Sequence, residues 1–405
     1  MSYYQMNEKL AIDYVKGLGF FSETARLVAR EVGDGNLNLV FIIRDEEAQR
    51  SLVLKQALPY VRVVGEGWPL SVERTIFEAN ALEIHNKLVA DYAPKLIHRN
   101  DQLALIAMED LSHLQLMRYG MIEMKKHANF PQHISTFLAN TLFYTSDLYM
   151  DPEEKKKLAA KFVNTQLCKI SEDLIFTDPY YDAERNNINP ELRPYLEEVF
   201  WKKDYLWLEA SKLKYKFMTE GQSLLHGDLH TGSIFAGEDE TKVFDSEFAF
   251  FGPAAFDVGK IIGNFLINYV SWWGKDVDIN QIKDYREYLL NSIVDIYNLF
   301  HKKFIDNWER DAQDISVKVE GYQQQYIRRL FVDAIGFCGA VMIRRTHGLA
   351  HNIDVDGIED LKKRSKTQIR VLELGEKLIM NREAFKNIEE VVAFVKDNLG
   401  LEMKI

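Results

Sequence analysis

Apolar residues follow two different patterns along the chain. Up to about residue 110 they come in short runs bounded by turn residues, which is the pattern of strands. Leu27 to Val32, Leu39 to Ile43 and Leu52 to Lys55 are rich in apolar and β-branched residues and predict three strands. Gly33-Asp34-Gly35-Asn36, between the first two, predicts a turn, because Gly and Asn tolerate positive φ. Val72 to Ala90 carries Ile76, Ala79, Leu82 and Leu88 at helical spacing. Leu103 to Met108 is a further short run, ended by Glu109-Asp110-Leu111.

Beyond that point the pattern is helical. Ser135 to Leu148, Glu191 to Phe217, Gln281 to Trp308 and Gln323 to Met342 place apolar residues three and four apart. Leu224 to Phe248 is the exception: His226-Gly227-Asp228 and Val243 to Phe248 predict short strands and a polar loop. Ile261 to Val270 predicts a buried helix. It is shorter than the ~20 residues of a membrane span. Asp151 to Lys157 is a charge cluster that predicts a solvated helix face. The expected architecture is α+β: a strand-rich lobe over residues 1–110 with one main helix, a connector near Glu109, and a helical lobe over residues 111–405. A cleft between two lobes is a common ligand site.

Composition narrows the partners. With 405 residues, 47% of them hydrophobic, the chain can bury a large core. A net charge of -11 makes nucleic acid an unexpected partner, since phosphate binding needs a basic face. Cys168 and Cys338 are far apart and form no metal spacing, as in a cytoplasmic protein with reduced thiols. The N-terminus shows no secretory signal.

The densest chemistry is His226-Gly227-Asp228-Leu229-His230-Thr231-Gly232-Ser233, with a carboxylate, two imidazoles and a hydroxyl. If Val243 to Phe248 is extended, Asp245 and Glu247 face the same way, and two such carboxylates suit a hard cation such as Mg²⁺. Phosphoryl transfer needs a base, metal ligands, a cation on the phosphates and a covering loop. Asp228, the Asp245–Glu247 pair, Lys55 and the glycine turn from Gly33 to Asn38 are candidates for these parts, with Glu78 placed to pair with Lys55. Each feature alone also has a plain reading: a solvated strand end, an ordinary turn, an edge strand, structural histidines. A metal-dependent hydrolase using His226, Asp228 and His230 as ligands is a rival, as is a nucleotide-binding protein without turnover.

The order of these pieces resembles the protein-kinase-like phosphotransferases, which include aminoglycoside and choline kinases. Their loop reads His-Gly-Asp-x-His-x-x-Asn, followed by Asp-x-Asp or Asp-x-Glu. This chain departs from it at Ser233 and lacks the full glycine-loop pattern. Both departures resemble one subfamily, the 5-methylthioribose kinases. So do Gly33 to Asn38, Val64 to Leu70, Met108 to Ser112, His226 to Phe235, Asp245 to Phe250 with Gly252-Pro253, and Ile343 to Thr346.

The resemblance implies a two-lobed protein-kinase-like fold whose N-terminal lobe binds ATP, and a homodimer. The implied reaction moves the ATP γ-phosphate to the 1-hydroxyl of S-methyl-5-thioribose, a small sugar. Asp228 is then the base and a sugar contact, and Asp245 and Glu247 hold Mg²⁺, with Ser233 a weaker ligand. Gly33, Gly35, Asn36, Asn38, Lys55, Glu78 and Asp110 serve the nucleotide, with the backbone at Glu109 and Leu111 gripping adenine. Arg344, Arg345 and Trp68 lie near the sugar. Two adjacent arginines could instead pair with carboxylates such as Asp354 or Asp356. An aminoglycoside, choline or homoserine acceptor is the alternative within the fold.

Overall fold

The computed structural model describes residues 3–33, 37–62 and 65–399. Five strands form one antiparallel sheet in the order Leu27–Glu31, Asn38–Asp45, Arg50–Ala57, Leu105–Glu109 and Leu96–Asn100. Side chains alternate between its faces. Leu52 and Leu54 face a cluster with Phe41, Ile43, Ala11 and Val15, covered by an N-terminal helix, Glu8–Lys16, that the apolar pattern did not announce. Val53 faces the other way, toward Ala79 and Leu82 of the helix Arg74–Leu88. Lys55, two residues on, shares that second face and so meets Glu78 on the same helix.

The rest is mostly helical. The helix Ala255–Ser271 is buried along its whole length, between Ile279–Asp311 and Tyr322–His347. A side chain at Gly259 would lie 2.4 Å from the Ala334 carbonyl oxygen, so glycine is what lets these two helices meet at the backbone. Among the described residues no helix is long and apolar enough to cross a membrane.

Three expectations need correction. The Glu191 to Phe217 stretch is not one helix: Arg193–Glu198 and Asp204–Thr219 are separated by a tight turn at Phe200–Lys202, where Val199 and Lys203 leave helical geometry. His226-Gly227-Asp228 is a loop, as expected, and follows the strand Ser223–Leu225. The later strand stops at Val243, because Asp245 has φ 67°, outside the extended region. The charge cluster, on the helix Pro152–Ala159, is exposed except at Lys155, which is buried with its amine on the Gly221 carbonyl at 2.7 Å.

Candidate active site

Lys55 rises from the sheet into a group of acids. Its Nζ lies 2.8 Å from Glu78 Oε2 and also pairs with Asp245. Ligand oxygens of Glu78, Asp245 and Glu247 all lie within 4.8 Å of one another. Asp245 and Glu247 therefore do converge, through a loop with a left-handed residue and not through strand alternation. Asn38 donates to Glu247 Oε2 at 2.8 Å, and Arg74 reaches the same oxygen at 3.3 Å. Arg74 also holds Asn38 Oδ1 at 3.0 Å and the Leu37 carbonyl at 2.9 Å, so this buried guanidinium braces Leu37 and Asn38 against the acids.

Three carboxylates facing two cations leave this region short of positive charge. Burial pushes the Glu78 carboxyl up to about 7 despite Lys55. Burial also opposes the charge on Asp245, but the Lys55 ammonium outweighs it and holds that carboxyl low. Hard oxygen donors with a deficit of positive charge fit a divalent cation.

The His-Gly-Asp loop is held from both sides. Gly227 has φ 79°, and a Cβ there would lie 2.2 Å from the Phe248 carbonyl oxygen. Asp257 accepts from the backbone N–H of His226 at 2.7 Å and of Gly227 at 3.2 Å. His226 Nδ1 accepts from the Asp228 N–H at 3.2 Å, so Nε2 carries the proton and donates to the Phe244 carbonyl at 2.8 Å. That bond ties the Asp228 loop to the Asp245 loop. With both ring nitrogens committed to the backbone, His226 does not fit the zinc ligand of the hydrolase reading.

Asp228 projects from this loop toward two cations and an imidazole. Lys260 pairs with Oδ1, Arg345 lies 3.6 Å from Oδ1, and His230 Nε2 is 3.3 Å from Oδ2. Burial works against the charge, but Lys260 and the neighbouring groups hold the Asp228 carboxyl well below the usual range. His230 Nδ1 accepts from the Gly232 N–H at 2.9 Å, and burial pushes the imidazole down to about 3, so the ring is neutral. Ser233 Oγ contacts the Asp228 carbonyl at 3.0 Å and the His230 carbonyl at 2.8 Å, and accepts from the His230 N–H at 2.9 Å. Its hydroxyl is engaged in shaping the loop. Arg118 adds a cation beyond the imidazole, with NH2 3.2 Å from His230 Nδ1.

Arg345 turns toward Asp228, and neither arginine pairs with the downstream acids among the described residues. Asp354 accepts from Asn268, and Asp356 is 2.8 Å from His351. Arg344 reaches the Ala350 carbonyl at 3.3 Å, and its Nε is buried without a hydrogen-bond partner among the described residues.

At the connector, Glu109 accepts from the Lys95 N–H at 3.1 Å and Asp110 from the Ser112 N–H at 2.9 Å, which shapes the backbone through Leu111. Trp68 packs against a small cluster of Val61, Leu70 and Leu167, which Phe248 also joins, with Arg185 6.0 Å from the Trp68 ring centroid. Gly33 is an exposed turn residue, while Gly35 and Asn36 lie outside the described residues.

Arg74, Arg118 and Lys260 were not anticipated. The last had a signal: Asp257, Lys260, Asn264 and Asn268 recur at helical spacing in an otherwise apolar helix.

A sheet lobe offering a lysine to acids beside a His-Gly-Asp loop defines a two-lobed phosphotransferase. The comparisons agree. The sequence profile of the phosphotransferase enzyme family matches residues 28–298. A methylthioribose kinase of Geobacillus kaustophilus is 46% identical over 388 residues, covering 96% of this chain and 96% of that protein. One from Bacillus cereus is 42% identical over 379 residues, covering 94% and 93%. In structure, a choline kinase from Cryptosporidium parvum is similar with a TM-score of 0.52 at 12% identity, over 95% of this chain and 99% of that one, which speaks to the fold alone. The chain belongs to the methylthioribose kinase family of phosphotransferases.

Proposed function

We propose that the chain transfers the γ-phosphate of ATP to the 1-hydroxyl of S-methyl-5-thioribose, forming S-methyl-5-thioribose 1-phosphate in methionine salvage. One observation carries the reading: an acid cluster around Lys55 and an arginine-rimmed Asp228 lie on loops joined by the His226–Phe244 bond, in a chain 46% identical to a methylthioribose kinase.

In this reading residues 1–110 form the nucleotide lobe. Lys55, directed by Glu78, binds ATP phosphate oxygens, and the backbone from Glu109 to Leu111 receives adenine. Asn38 supports the phosphate end through Glu247. Asp245 and Glu247 hold Mg²⁺, which neutralises phosphate charge when bound. Asp228 accepts a hydrogen bond from the sugar 1-hydroxyl and aims its oxygen at the γ-phosphorus. As the new P–O bond forms and ADP departs with the bridging oxygen, the hydroxyl proton passes to Asp228. A carboxyl held so low takes a proton only late, which suits a loose transition state. Arg345, with Arg344, faces the charge on the moving phosphoryl group. Trp68 covers the substrate side, and Ser233 serves the loop. A soluble cytoplasmic homodimer with no nucleic-acid partner completes the proposal.

The cations around Asp228 disfavour a cationic acceptor such as choline or an aminoglycoside. The test is ADP release with Mg·ATP and 5-methylthioribose, choline, homoserine or an aminoglycoside. Turnover is expected with 5-methylthioribose, and Asp228→Asn should lower kcat by about 10²- to 10⁴-fold. No turnover of that sugar would sink the substrate; equal rates in the variant would sink the role of Asp228.

A further inference from the structure

The helix Ala255–Ser271 is buried throughout, yet one of its faces is polar at every turn. Asp257 takes the backbone N–H groups of His226 and Gly227. Asn264 Oδ1 is 3.4 Å from the Thr231 hydroxyl, and Asn268 donates to Asp354. Between them stands Lys260, 3% exposed, with Nζ 3.3 Å from the Gly227 carbonyl and paired with Asp228. The helix core asks only for an apolar residue here. A buried ammonium is costly unless an opposite charge meets it, and its ion-pair partner is Asp228, the proposed base.

We propose that Lys260 is the positioning residue for Asp228, fixing the direction of its carboxylate and keeping it ionised for the incoming hydroxyl. This rests on the reading of Asp228 as the base. The geometry supports it from two sides. Lys260 binds the carbonyl of the residue before Asp228 as well as its side chain, so it sets both the backbone and the rotamer. His230, packed from the same loop, engages the other carboxylate oxygen. The charged groups facing Lys260 are Asp228, Asp257, Arg344 and Arg345, and the Phe256 ring centroid lies 5.2 Å away. Burial, offset in part by Asp228 and reinforced by the two arginines, brings the ammonium down to about 8. Loss of its proton would release Asp228.

The experiment compares the full-length wild type with Lys260→Met and Lys260→Arg in kcat, KM for each substrate, Tm and the pH dependence of kcat/KM. The wild type should lose activity above about pH 8, following that ammonium. Lys260→Met should lower kcat by about 10²-fold with little change in KM for ATP, and its alkaline limb should vanish. Lys260→Arg should recover part of kcat, with the limb moved out of range because a guanidinium stays charged. In an Asp228→Asn background, Lys260→Met should cost little more, as expected of two residues acting as one. An unchanged kcat in Lys260→Met, or a loss that keeps the alkaline limb and adds fully to Asp228→Asn, would overturn the proposal. If Lys260→Met does not fold, Lys260→Gln carries the same comparisons. If 5-methylthioribose is inert, the series runs on whichever acceptor releases ADP, so the substrate and Lys260 are judged separately.

Discussion

Asn38 Nδ2 donates to Glu247 Oε2 at 2.8 Å, joining a strand of the N-terminal sheet to a loop 209 residues later. Arg74 lies behind both and binds Asn38 Oδ1 and the Glu247 carboxylate. The acid cluster is thus braced from the sheet lobe, and a residue expected beside ATP acts on a proposed metal ligand.

Replacing Asn38 with Leu removes a donor from a buried carboxylate. A hydrogen bond to a charged group contributes about 1.5–3 kcal/mol. The half-saturating Mg²⁺ concentration should rise by at least about tenfold while KM for the sugar stays near its wild-type value. Initial rates titrated with Mg²⁺ check this; an unchanged Mg²⁺ requirement would show that the bond does not tune the site.

Gly227 is required by both conformation and space. Its φ of 79° disfavours a side chain, and a Cβ would clash with the Phe248 carbonyl at 2.2 Å. Gly227→Ala must therefore displace either the Asp228 loop or the loop that carries Glu247. Activity should drop by more than about 10²-fold, since a displacement of about 1 Å is enough for that. Kinetics on folded protein, verified by circular dichroism, decide it; near-wild-type kcat would contradict the geometry.

Acid should unfold this protein through its buried imidazoles. Burial pushes His85 down to about 3 and His347 to about 4, both from an ordinary 6.5. The unfolded chain takes up these protons below about pH 6.5, whereas the folded chain refuses them until the lower values. Their contribution is complete above pH 6.5 and is lost as pH falls, at about 1.4 kcal/mol per pH unit for each. Urea unfolding at pH 7, 6 and 5 should show this slope. His347→Gln, which can still donate to the Pro179 carbonyl now 2.8 Å from Nε2, should flatten it by about one proton.

The elements that read well are those whose period is local. Alternation places Val53 and Lys55 on one face of a strand, and helical spacing carries Ile76 to Leu88. Where polar chemistry interrupts the period, the reading failed. Val243 to Phe248 looks extended, but Asp245 takes a left-handed turn that sequence period cannot register. The helical pattern from Glu191 to Phe217 hides the break at Phe200–Lys202, since apolar spacing survives across a tight turn.

Residue order alone determined the two-lobed architecture, the His-Gly-Asp loop and the acids at 245 and 247, because motif chemistry and apolar period are written in consecutive residues. Only the folded chain decided which cations those acids meet. Arg74 reaches Glu247, and Lys260 and Arg345 reach Asp228, across long stretches of sequence. Pairing at such range is set by how buried helices stack and by the need to neutralise charge out of water, and neither leaves a mark on neighbouring positions.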